Sequence, residues 1–104
     1  MYGLLITFEA DAPLEDLAAP FVDYAEALNQ MPGLLKKAWL HDGRTLGGFH
    51  LFASKADADG YMASPLAQGL MATDGFDNFE ANGFEVLEEL SAMTGIGSLQ
   101  ALAV

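Results

Sequence analysis

The chain has 104 residues, of which 52% are hydrophobic, with 15 acidic against four basic side chains and no cysteine. This length fits a single domain, taken here as residues 1–104, and the hydrophobic fraction is too high for a disordered chain. The net charge of −11 would repel nucleic acid and anionic lipid, so neither is an expected partner. Without cysteine there can be no disulfide, thiolate metal site or cysteine nucleophile.

The sequence shows no sign of a membrane segment. The N-terminal residues lack a basic region followed by an apolar run, and no stretch approaches the roughly 18 apolar residues that a membrane span requires. We therefore expect no membrane association and a soluble, cytoplasmic protein. The excess of acidic residues predicts a well-solvated surface.

The first third of the chain predicts a strand followed by a helix. Tyr2–Phe8 is a short apolar run with β-branched and aromatic members, typical of a strand that is buried on both faces. A proline inside a helix removes one hydrogen bond, so the main helix is expected from Pro20 to Gln30, with Leu14–Ala19 as a separate turn. Met31-Pro32-Gly33 should end the helix.

The middle of the chain predicts a β-hairpin. Leu34–His41 and Leu46–Ser54 flank Asp42-Gly43-Arg44-Thr45, and Asp-Gly between two apolar runs is a strong hairpin signal. If the loop has an even number of residues, side-chain alternation defines two faces, whereas an odd loop would mix them. The mixed face, aromatic and basic, carries Leu35, Lys37, Trp39, His41, Leu46, Gly48, His50 and Phe52. The apolar face carries Leu34, Lys36, Ala38, Leu40, Gly47, Phe49, Leu51 and Ala53.

The last part of the chain predicts two helical segments and a strand. Ser54 is expected to cap a short helix whose Tyr61 faces the core, and Ser64-Pro65 to begin a helical turn through Leu70. Phe79–Leu87 predicts the final strand, and residues 91–104 form a small, apolar tail.

The order strand, helix, strand, strand, helix, strand predicts an α+β fold of the ferredoxin-like, split βαβ type. Its four-stranded antiparallel sheet has helices on one face. The large apolar side chains of the mixed face also need a cover, either a second subunit or a helix over a pocket. The sequence leaves open which face meets which cover.

Two stretches resemble a known family. Ala25–Trp39, AEALNQMPGLLKKAW, is similar to the A-E-x-[IL]-N-Q-x-P-G-[FL]-L-x-K-x-W signature of the YdhR-like putative monooxygenases, and Gly47–Phe52 resembles their G-G-x-Y-L-F strand. The resemblance runs from the first strand to about Ser91. It implies a homodimeric α+β barrel in which two sheets face each other. It also implies oxidation of an aromatic or quinol-like small molecule by O2 without a cofactor. His50 stands where the family usually has tyrosine, so a tyrosine role does not carry over.

Oxidation without metal or flavin requires a base, a cation or donor for the oxyanion, and aromatic walls. We predict His50 and Lys37 as catalytic residues, and as substrate-binding residues Trp39, Phe52, Tyr24 and Asn29. No cofactor is expected. No metal is expected either, because the two histidines are nine residues apart without carboxylates at ligand spacing.

Each of these residues also has a purely structural interpretation. His50 would be a hydrogen-bonded interior histidine, Trp39 a packing residue, and Lys37 a side chain that reaches solvent. Asn29 would cap the end of a helix. The alternative function is accordingly a non-catalytic small-molecule binder, or an interaction dimer of the same fold.

Overall fold

The computed structural model describes residues 1–96, and residues 97–104 of the predicted tail lie outside this range. Within it, strands and helices follow in the order β1 (Tyr2–Ala10), α1 (Leu14–Leu28), β2 (Leu34–Asp42), β3 (Thr45–Phe52), α2 (Lys55–Ala63), α3 (Pro65–Met71), β4 (Phe76–Glu85) and α4 (Glu88–Met93). The strands form one antiparallel sheet in the order β2-β3-β1-β4. This is the predicted ferredoxin-like α+β fold, with α4 added after the last strand.

The β2–β3 hairpin has the predicted register over most of its length. Asp42 pairs with Thr45, Trp39 with Gly48 and Lys37 with His50, so the loop holds two residues, and the alternation of faces follows as expected. The register shifts between Leu34 and Lys36. As a result Leu34 pairs with Phe52 and packs against the core, which corrects its assignment to the opposite face.

Helix α1 differs from its prediction. It is one helix from Leu14 to Leu28 with Pro20 inside it, instead of a turn and a separate helix that begins at Pro20. Proline lacks only its own N–H, so one helical hydrogen bond is lost. Buried Leu17 before the proline and buried Leu28 after it hold both halves of the helix against the sheet, and this packing outweighs the lost bond.

The ends of the outer strands also differ slightly from the prediction. β4 begins at Phe76, three residues earlier than expected, because β1 continues to Ala10 and Ala10 pairs with Phe76. The serine caps agree with the prediction: the side chain of Ser54 accepts a hydrogen bond from the Asp57 N–H, and that of Ser64 accepts one from the Ala67 N–H.

Helices α1, α2 and α3 cover the mixed face of the sheet. Their buried side chains Leu28, Tyr61 and Ala67 pack against Ile6 and Phe52 of the strands. The opposite face retains large exposed apolar side chains, with Leu40 43%, Phe49 39% and Phe84 55% accessible. The chain's own helices therefore cover the mixed face, and the apolar face remains partly open to solvent. No helix within residues 1–96 combines the length and apolar character needed to cross a bilayer.

Candidate functional site

A cavity of about 160 Å³ lies between α1 and the β2–β3 hairpin. It forms because α1 rests on the sheet through Leu17 and Leu28 near its two ends, while Gly48 of β3, on the same face as Trp39, contributes no side chain. The residues that line it are Ile6, Phe8, Leu14, Phe21, Tyr24, Lys37, Trp39, Leu40, His41, Leu46, Gly47, Gly48, His50, Tyr61 and Leu70.

Lys37 extends from β2 over the indole of Trp39. Its Nζ lies 3.5 Å from the centre of the Trp39 ring and 5.4 Å from that of Tyr24, within the range of cation–π attraction. Gly48 makes this position possible, because a Cβ there would lie 2.5 Å from Lys37 Cε. Burial lowers the pKa of Lys37 to about 8, so the amine is still mainly charged at neutral pH.

His50 projects from β3 beneath the helices and is only 2% exposed. Its Nδ1 lies 3.2 Å from the Leu4 carbonyl oxygen, and because a carbonyl only accepts, Nδ1 carries the proton and Nε2 a lone pair. Within residues 1–96, Nε2 has no hydrogen-bond partner.

The pKa of His50 falls to about 4, first because of burial and then because of the Lys37 charge, with the backbone groups of Leu4 and Gly48 opposing the change. At neutral pH His50 is therefore an uncharged acceptor at the cavity wall.

Tyr24 of α1 and Tyr61 of α2 share a hydrogen bond of 2.6 Å between their hydroxyls, in which either can donate. Burial raises the pKa of both tyrosines, and for Tyr24 the hydrogen bond to Tyr61 raises it further. Both hydroxyls therefore remain protonated. One hydroxyl proton is donated in the hydrogen bond between the two tyrosines, which leaves the other hydroxyl proton available for donation to a ligand.

The walls of the cavity are aromatic. The Trp39 ring lies 5.3 Å from the Phe21 ring and 6.4 Å from the Tyr24 ring, which it meets edge to face. Trp39 is 42% exposed, so the indole forms one side of the cavity entrance. These rings suit a flat, apolar ligand, and Lys37, His50 and the tyrosine hydroxyls supply a few directed polar groups.

Four of the six predicted site residues come together here: Lys37, Trp39, His50 and Tyr24. Phe52 is fully buried and stacks behind His50 with 6.2 Å between ring centres, outside the lining. It supports the imidazole from behind.

Asn29 is exposed and forms the C-cap of α1, where its backbone N–H reaches the carbonyls of Ala25 and Glu26. The structure thus places it in the capping position that was its structural alternative. Tyr61 is a site residue that the sequence assigned only to the core. Its burial was predictable from helical spacing, but its contact with Tyr24, 37 residues away, was not.

The family described as "Putative mono-oxygenase ydhR" matches residues 4–96. The chain belongs to this family. No functionally curated protein matches the chain in sequence.

Solved structures share the fold of this YdhR-family chain. NE2512 from Nitrosomonas europaea, of unknown function, is 26% identical with a TM-score of 0.62 over 83% of this chain and 88% of its own. SnoaB from Streptomyces nogalater, described as a cofactor-independent oxygenase, is 12% identical with a TM-score of 0.68 over 84% and 93%. A Deinococcus radiodurans protein described as a putative antibiotic biosynthesis monooxygenase is 18% identical with a TM-score of 0.66 over 85% and 94%.

Proposed function

We propose that this protein is a cofactor-independent monooxygenase that oxidises an aromatic, quinol-like small molecule with O2 in the cavity under α1. The observation that carries the proposal is the buried Nε2 of His50, a lone pair without a partner within residues 1–96, at the wall of a cavity that also holds the Lys37 amine. Membership of the YdhR family supports the reaction class.

The cavity residues have distinct tasks in this reaction. His50 Nε2 accepts the proton of a substrate hydroxyl, and the Lys37 ammonium stabilises the resulting oxyanion. Trp39 and Tyr24 hold the ring flat beside these groups. Ionisation makes the ring easier to oxidise than its neutral hydroxyl form, and the apolar walls leave the Lys37 ammonium as the charge that faces the oxyanion.

The electrons and atoms balance without an external reductant. The ionised ring transfers electrons to O2, and a ring carbon that bears hydrogen forms a bond to oxygen, giving a peroxide that His50 protonates. His50 then takes the proton of that carbon, and the O–O bond breaks as a new carbonyl forms. The departing hydroxide takes this proton from His50 and leaves as water. The substrate loses two hydrogens and gains one oxygen, and O2 accepts four electrons.

The test is O2 uptake with a panel of catechols, hydroquinones, naphthols and anthrols. We expect protein-dependent uptake that falls about 100-fold or more in His50→Ala, as is typical when a general base is removed. Uptake should also fall in Lys37→Ala. Lys36→Ala is the matched control and should keep wild-type uptake, since Lys36 lies on the opposite face of β2 and does not line the cavity. Binding of these ligands without O2 uptake would contradict the oxygenase and favour the non-catalytic binder.

We also propose that the protein functions as a homodimer through the open face of its sheet. The supporting observation is the exposure of Leu40, Phe49 and Phe84 on that face, since burial of one such side chain contributes about 1.5–3 kcal/mol. A second copy would complete the α+β barrel that the family resemblance implies. Light scattering after size-exclusion chromatography should give twice the chain mass, and a monomeric mass at micromolar concentration would contradict the proposal.

A further inference from the structure

The cavity holds a cation without an anion. Although the chain has 15 acidic residues, none of those within residues 1–96 lines the cavity. The ion pairs formed by these residues are Met1–Glu88, Arg44–Asp11 and Lys55–Asp59, so Lys37 contacts no carboxylate among them. A desolvated ammonium without a counter-ion is costly, and within residues 1–96 it is attracted by the faces of Trp39 and Tyr24.

The cavity also holds an acceptor without a donor. The Nδ1–H of His50 is fixed on the Leu4 carbonyl, which leaves Nε2 as an acceptor only. Because His50 lines the cavity, whatever occupies the cavity must supply the donor to Nε2. An unpaired buried acceptor costs about 1–3 kcal/mol, so a ligand that carries a donor at this point binds more tightly than one that lacks it.

The two unsatisfied groups are neighbours. Lys37 and His50 pair across β2 and β3, and a Cβ on Gly48 would lie 2.5 Å from Lys37 Cε and 3.3 Å from His50 Cε1, so these two side-chain atoms are less than about 6 Å apart. An oxyanion and a hydroxyl on adjacent carbons of one ring can span such a separation and satisfy both groups.

The size of the cavity limits the ring system. An apolar cavity of about 150 Å³ accommodates a benzene ring, whereas drug-sized ligands occupy about 300 Å³ or more. The volume here is about 160 Å³. A single ring therefore matches the volume enclosed by the lining, which includes Trp39, Ile6 and Gly48.

We propose that the ligand is a single-ring aromatic monoanion with a hydroxyl beside its charged oxygen, such as a singly ionised catechol. The oxyanion contacts the Lys37 ammonium, and the neighbouring hydroxyl donates to His50 Nε2. This inference rests on the proposed function in that it names the ligand of the same cavity. Binding and O2 uptake are nevertheless separate measurements, so each can fail alone.

The experiment uses the full chain under anaerobic conditions with 4-nitrocatechol and its methyl ethers as probes. 4-Nitrocatechol ionises first at the hydroxyl opposite the nitro group, with a large change in its absorption spectrum. Methylation of the second hydroxyl removes the donor and keeps the anion, and dimethylation removes both. In the wild-type protein at neutral pH, we expect affinity to fall about tenfold with each methylation, and the bound nitrocatechol to show the spectrum of its anion.

Two variants assign the contacts. Lys37→Met should weaken nitrocatechol about tenfold or more and shift its bound spectrum toward the neutral form, while Lys36→Met, with the same change in net charge, should keep wild-type affinity. His50→Phe should abolish the preference for nitrocatechol over its monomethyl ether and retain the preference of the anion over the dimethyl ether. Because the ligand series is measured on the wild-type protein, it remains decisive if a variant does not fold.

Three outcomes would overturn the inference: equal affinity for the three probes, equal losses in the Lys37 and Lys36 variants, or binding of the neutral form of nitrocatechol. Tight binding of the anion without O2 uptake from any substrate would remove the oxygenase and leave this inference standing. Rapid O2 uptake with rings that lack the adjacent hydroxyl and oxyanion would remove this inference and leave the oxygenase standing.

Discussion

Mild acid should destabilise this protein through His50. The imidazole has an ordinary pKa of 6.5, and its pKa in the folded protein is about 4. Between these values the unfolded chain binds a proton that the folded protein does not, so lower pH favours unfolding. The stabilisation is fully present above about pH 6.5 and is lost as pH falls toward 4. At about 1.4 kcal/mol per pH unit, the total is about 3 kcal/mol, of which about 2 kcal/mol is lost by pH 5.

The assay is urea unfolding of wild type and His50→Phe from about pH 7 to about pH 5, a range in which most carboxylates stay ionised. Phenylalanine keeps the stacking on Phe52 and removes the titrating group. The free energy of unfolding of wild type should fall by about 2 kcal/mol relative to that of His50→Phe. His41→Phe, which removes the exposed histidine at the hairpin end, should retain the wild-type loss. If wild type and His50→Phe lose stability in parallel, His50 is not held neutral by burial and the reasoning is wrong.

Three further predictions test the cavity and the open sheet face. In urea unfolding at neutral pH, Lys37→Met should raise the free energy of unfolding by about 1–2 kcal/mol, because the desolvation that lowers the pKa of Lys37 to about 8 costs more than the cation–π attraction contributes. Lys36→Met is the control and should leave the free energy of unfolding unchanged. Equal changes in the two variants would contradict this prediction. Trp39→Asp should abolish binding of aromatic ligands in equilibrium dialysis and leave the dimer intact. Phe49→Asp, on the open sheet face, should give monomers in light scattering. A monomeric Trp39→Asp would place the dimer interface on the mixed face and contradict the proposal. Gly48→Ala should displace the Lys37 side chain, since the added methyl would lie 2.5 Å from Lys37 Cε, and should lower the free energy of unfolding by about 1–3 kcal/mol. In wild type, Trp39 fluorescence should change near pH 8 as Lys37 titrates, and the variant should lose that transition. An unchanged transition would show that the position of Lys37 does not depend on the glycine.

The family, the fold and much of the cavity were accessible from the sequence because local signals define them. Asp42-Gly43 fixes a two-residue turn, and the two-residue period of a strand then places Lys37, Trp39 and His50 on one face. Ser54 and Ser64 mark helix starts through bonds that span three residues.

The errors arose where distant contacts compete with local preference. Pro20 weakens a helix locally, but the packing of Leu17 and Leu28 on the sheet keeps α1 continuous. Asn29 belongs to a family motif, yet its place at the end of α1 leaves it outside the cavity lining.

The sequence by itself determined that a lysine, an indole and an imidazole share one side of a hairpin, because alternation along a strand is set by backbone geometry. Only the tertiary structure decided that the chain's own helices cover that side, that Tyr61 reaches Tyr24, and that the Nε2 of His50 has no partner within residues 1–96. These properties depend on how separate elements pack on the sheet, and the packing is fixed by the summed burial of side chains far apart in the chain.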